Sequence, residues 1–122
     1  MKTIDEKSKA IADFMAVRKN EDGTYEFPEF GAIRLNGDFM TSFYPDRFKY
    51  HSSFDWLMPV IKKCKSISKA SENGLFEKNT DNLNAQMMYE EIEECLLDLH
   101  VLATFNAVYS MVEWLKKMLK NG

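Results

Sequence analysis

Histidine, cysteine and glycine are scarce in this chain. Two histidines, two cysteines and five glycines are spread over 122 residues, and each scarcity removes a class of chemistry. Two cysteines cannot build a disulfide scaffold, and they form no Cys-x-x-Cys pair. Glycines at 23, 31, 37, 74 and 122 make no phosphate-cradling loop. Three prolines and the lack of any internal repeat exclude a collagen-like or low-complexity chain. The longest stretch without a charge, Leu99 to Val112, is 14 residues, short of the roughly 18–20 a membrane-spanning helix needs, so no membrane partner is expected. Met1-Lys2-Thr3-Ile4-Asp5-Glu6 places acids where a signal peptide would be apolar. A reducing cytoplasm is therefore the expected location, with Cys64 and Cys95 as free thiols.

What is present suffices for one core. With 45% hydrophobic and 13% aromatic residues, a single domain over residues 1–122 is expected. Thr3-Ile4-Asp5-Glu6 matches a capping box, and Ala10, Ile11, Phe14 and Met15 follow at helical spacing, which predicts a first helix over about 4–18. Residues 24–43 alternate β-prone and polar side chains around Asn36-Gly37, a hairpin signal. Phe54, Leu57, Met58, Ile61, Cys64 and Ile67 mark a second helix, with Pro59 near its start. The polar, Asn-rich stretch 69–84 reads as the longest loop. A third helix follows, with Met88, Ile92, Cys95, Leu96 and Leu99 on one face. The last helix carries Val101, Phe105, Val108, Val112, Leu115 and Leu119 in steps of three and four. A break from the third helix is expected near Asp98–His100. The fold class that results is α+β: a small two- or three-stranded antiparallel sheet packed against about four helices.

Charge is uneven: −1 over residues 1–50, +2 over 51–80 and −4 over 81–122, within a net −3. The acidic end repels phosphate, so nucleic-acid binding by the chain alone is not expected. The candidate interface is instead the run Glu90, Glu91, Glu93, Glu94 and Asp98 on the third helix. The alternative is a nucleic-acid contact through Lys62, Lys63, Lys65 and Lys69. A third possibility, a small metal-dependent enzyme, would use His51 and Asp55, whose four-residue spacing can converge on an ion if both lie on a helix. No third ligand stands at a definite spacing, and His51-Ser52-Ser53 reads more simply as the start of a helix. Cys64 belongs to an apolar stripe that Lys62, Lys63 and Lys65 do not share, which argues for a packed thiol rather than a nucleophile. No catalytic residue, metal or cofactor is expected, and the chain is read as a non-enzyme.

Ten of the sixteen aromatics lie between Tyr25 and Trp56. A stacking platform for single-stranded nucleic acid needs cations around it, but this segment has three (Arg34, Arg47, Lys49) against five acids. Packing of a sheet on helices is the expected use, with surplus aromatics and some of the eight methionines left to make an adhesive surface.

Two stretches are similar to a known family. Tyr50-His51-Ser52-Ser53-Phe54-Asp55-Trp56-Leu57-Met58-Pro59-Val60-Ile61 resembles the H-[ST]-S-[WF]-D-W-L-M-P-V-[VI] signature of small proteins from phages and mobile elements of Bacteroidetes-type bacteria. Ala103-Thr104-Phe105-Asn106-Ala107-Val108, with Val112-Glu113-Trp114-Leu115, resembles their closing motif, and Ile11-Ala12-Asp13-Phe14-Met15 their opening helix. Tyr109-Ser110-Met111 and the acidic third helix depart from the pattern. The resemblance implies a setting rather than an activity, with Trp56 and Trp114 as core anchors. A small acidic protein without a reactive centre in that setting is expected to act by binding. By analogy with such proteins, the expected role is inhibitor of a host defence system, with a CRISPR effector nuclease or its RNA complex as the partner.

Overall fold

A computed structural model of the chain describes the backbone of residues 2–15, 18–19, 21, 25–26, 33–35, 38–40, 42–43 and 48–121, and the side chains of 2–15, 21 and 48–118. Four helices carry the fold: α1 (Ile4–Phe14), α2 (Phe54–Glu72), α3 (Asn79–Leu97) and α4 (Val101–Asn121). α1 begins as its sequence dictates. The Glu6 amide donates to Thr3 Oγ1 at 3.2 Å, and the Thr3 amide to Glu6 Oε1 at 3.4 Å, closing the capping box. Ser53 is the N-cap of α2, so Pro59 lies inside the helix. The proline leaves the Asp55 carbonyl without its helical donor.

α2 and α3 end in the same device. After α2, Gly74 takes φ +84°, its amide donates to the Ser71 carbonyl at 3.1 Å, and the Leu75 amide reaches the Ala70 carbonyl at 3.2 Å. This is a Schellman ending, which uses a left-handed residue to occupy orphan carbonyls. After α3 the same pattern recurs with Leu99 at φ +56°, the Leu99 amide on Leu96 and the His100 amide on Cys95. α3 and α4 are therefore separate helices. The Ala103 amide donates to His100 Nδ1 at 3.1 Å and the Thr104 hydroxyl to the His100 carbonyl at 2.8 Å, holding the first turn of α4. The loop expected over 69–84 shrinks to the segment between Glu72 and Asn79. Asn82 is the physical reason: buried, it accepts from the Phe76 amide at 2.8 Å and donates to the Phe76 carbonyl at 3.0 Å, so a polar residue stabilises the helix start instead of loosening it.

The core is shared by all four helices. Ile11 and Phe14 of α1, Leu57, Val60, Ile61 and Cys64 of α2, Tyr89 and Ile92 of α3, and Phe105, Val108, Met111, Val112 and Leu115 of α4 form one buried cluster. α4 packs on each of the other three helices and α2 on α3. Phe48, Tyr50 and Trp56 add an aromatic corner, with Tyr50 and Trp56 edge-to-face at 5.3 Å. Trp114 is half-buried against Phe76 at 5.4 Å. Leu99, expected on the apolar face of the third helix, is exposed because the left-handed turn removes it from that face.

The α+β expectation is overturned. Between α1 and α2 the backbone shows only two- and three-residue strand fragments: β1 (Arg18–Lys19), β2 (Tyr25–Glu26), β3 (Ile33–Leu35), β4 (Asp38–Met40) and β5 (Ser42–Phe43). They form two separate antiparallel ladders, β1-β2-β5 and β3-β4, and their main contacts are with one another. No sheet forms a layer of the core among the described residues, and the folded body is all-helical. Alternating β-prone residues specify local pairing, but fragments this short cannot bury a face. Asn36-Gly37 and the side chains of Tyr25, Phe27, Phe30, Phe39, Phe43, Tyr44 and Leu119 lie outside the described residues.

Candidate functional site

Of the residues singled out as reactive, Cys64 is packed in the core, whereas Cys95 is half-buried and Asp55 exposed. Cys64 is fully buried in the core, and burial pushes its thiol from 9.0 up to about 12, with Lys63 opposing weakly. Burial also raises the Cys95 thiol, and Glu91, Asp98 and Glu94 raise it further. His51 precedes α2 rather than lying on it. Its ring meets Phe105 edge-to-face at 6.1 Å and its buried Nδ1 has no hydrogen-bond partner, while Asp55 is exposed. The shared helix that a His51–Asp55 metal pair requires is thus missing. Among the described residues, no group of three or more His, Cys, Asp or Glu is placed to hold a metal ion. Nor is any described helix long and apolar enough to cross a membrane.

The lysines of α2 divide. Lys63 turns inward: its ammonium donates to the Phe14 carbonyl and lies 4.3 Å from the Phe14 ring centroid. α1 has no basic residue in its own last turn, so Lys63 supplies the cation that its C-terminal dipole favours. Lys62, Lys65 and Lys69 are exposed and line a groove between α2 and α3.

The carboxylates of α3 divide as well. Glu90 and Glu93 stand on the α3 wall of that groove, opposite the lysines. Met87, Glu91, Glu94 and Asp98 step by four, three and four along the next face round the helix, with Leu83 one turn before Met87. All five are exposed, Leu83 to 50% and Met87 to 65%. The acids stand together in the sequence, but these two apolar neighbours join them only on the folded helix. A signal was available: Leu83 and Met87 fall off the stripe of Asn82, Ala85, Tyr89 and Ile92 that the helix buries.

The groove has two parts that share Lys65, Tyr89 and Glu93 in their walls. One, of about 190 Å³, is lined by Lys65, Ser68, Lys69 and Glu72 from α2 and Gln86, Tyr89, Glu90 and Glu93 from α3. The other, of about 300 Å³, lies between Met58, Ile61, Lys62 and Lys65 of α2 and Tyr89, Glu93, Leu96 and Leu97 of α3. Each groove lysine faces a carboxylate wall, which offsets the field a phosphate would feel there. Burial and the Glu93 carboxylate hold the Tyr89 hydroxyl above its usual range.

Compared with known proteins, the chain matches no family model, no curated protein and no solved structure.

Proposed function

We propose that the chain is a non-enzymatic protein-binding module that docks the outward face of α3 on a basic surface of a host protein. The observation that carries this reading is the mixture on that face: exposed Leu83 and Met87 beside Glu91, Glu94 and Asp98. Apolar side chains among charges suit an interface, where the former give contact area and the latter select and steer the partner. The raised thiol pKa values and inward-facing Lys63 support packing rather than catalysis. The resemblance of residues 50–61, 103–108 and 112–115 to phage and mobile-element proteins supports a setting in the bacterial cytoplasm. There the target is a defence protein, and the guide-RNA cleft of a CRISPR effector nuclease has the required positive charge. Nucleic-acid binding through Lys62, Lys65 and Lys69 has less support, because Glu90 and Glu93 stand across the groove.

The test is binding to a panel of purified CRISPR effectors, with and without guide RNA, by surface plasmon resonance. Wild-type protein should bind one of them with an association rate that falls as salt rises. Glu91→Lys, Glu94→Lys and Asp98→Lys together should slow association by roughly tenfold or more. Wild-type protein that binds no effector, or a triple variant that binds as before, overturns the proposal.

A further inference from the structure

The α2–α3 groove has two walls of opposite charge. Lys62, Lys65 and Lys69 stand on one and Glu90 and Glu93 on the other. The helices run antiparallel, since Met58 and Lys62 near the start of α2 share one end with Leu96 and Leu97 at the end of α3. That end sets exposed apolar side chains beside Lys62: Leu97 is 82% exposed and Met58 36%. The opposite end carries Glu72 and Gln86. No ion pair between the two walls closes the groove among the described residues.

We propose that this face binds a second copy of the chain, in a two-fold dimer whose axis runs along the groove. This goes beyond the partner reading above and uses other residues of α3. Symmetry makes the charge pattern decisive. An axis along the groove lays α2 of each copy over α3 of the other, so each lysine row meets a glutamate row, and it does so twice. The same axis brings Met58 and Leu97 against their own equivalents, apolar on apolar. An axis across the groove would instead stack lysine on lysine and glutamate on glutamate, with Met58 and Leu97 against Glu72 and Gln86. Only the first arrangement matches charge with charge and apolar surface with apolar surface.

The experiment is sedimentation velocity on the full chain over a concentration series. Wild-type protein should show a monomer–dimer equilibrium that weakens roughly tenfold or more as salt is raised to about 0.5 M. Lys62→Glu, Lys65→Glu and Lys69→Glu together give two acidic walls; Glu90→Lys and Glu93→Lys give two basic ones. Each variant alone should sediment as a monomer, and a one-to-one mixture should recover a heterodimer. Circular dichroism checks that both remain helical. A second measurement needs no variant: carbodiimide treatment of mixed light and 15N-labelled protein should join Lys65 to Glu93 between copies. Wild-type protein that stays monomeric, variants that dimerise unaltered, a mixture that stays monomeric, or cross-links confined within one copy would each overturn the proposal.

Discussion

Cys64 shows how one position can bear on reactivity and stability together. Its thiol is held at about 12 by burial, so the folded protein keeps the proton after an unfolded chain has begun to release it. The sign follows from linkage. Stability from this group is fully present below about pH 9 and is lost as pH rises toward about 12, because the unfolded state then binds fewer protons. The slope is at most about 1.4 kcal/mol per pH unit. Urea denaturation between pH 8 and 11 should show this loss, and Cys64→Ala should flatten the curve even if its cavity lowers stability at every pH. A thiol probe at neutral pH should leave Cys64 untouched in the native protein and label it after denaturation. Rapid native labelling would contradict the burial argument. Lys63 carries a related lesson: four lysines close in sequence look like one basic cluster, yet one of them is committed to the Phe14 carbonyl.

Among the elements, the two helix endings differ by one side chain, and their comparison is a direct test of backbone strain. Gly74 and Leu99 occupy equivalent left-handed positions, but only leucine pays for a Cβ there. Leu99 is 77% exposed, so little packing is lost with it. Leu99→Gly should stabilise the fold by about 0.5–1 kcal/mol, and Gly74→Ala should destabilise it by a similar amount. Both are measurable by chemical denaturation, and effects of the reverse sign would discredit the Schellman geometry. The helices themselves were legible where a local pattern decides. Thr3 and Glu6 announce α1, and Phe105, Val108, Val112 and Leu115 step down one face of α4. Where partners from elsewhere decide, composition misled. Asn82 reads as a loop residue and is buried in α3, while Ala85 and Tyr89 escaped notice as core. The alternating residues after α1 announce strand pairing but carry no information on whether a sheet reaches the core. The acids of α3 could be named from the sequence, but their separation into a groove wall and an outward face depends on where α2 packs.

Over the whole molecule, the helices are unequally secured. α4 packs on α1, α2 and α3, whereas α1 packs mainly on α4. Exposed links brace α1 further: Lys2 lies 3.9 Å from Glu113, and Lys7 donates to Asn106 at 3.1 Å while lying 5.3 Å from the Tyr109 ring centroid. Surface links of this kind contribute little each. Native-state hydrogen exchange should therefore find the slowest amides in the middle of α4 and faster exchange in α1, through an opening that leaves α2–α3–α4 intact. Equal protection in all four helices would count against this order. The Lys7–Asn106 bond joins residues 99 apart in sequence, while α2, α3 and α4 follow one another through short turns. The three later helices can thus assemble as successive hairpins at small entropic cost, and the docking of α1 closes the longest loop. A chain of this topology should collapse quickly at its C-terminal end and take its final shape only when its first helix returns across almost its entire length.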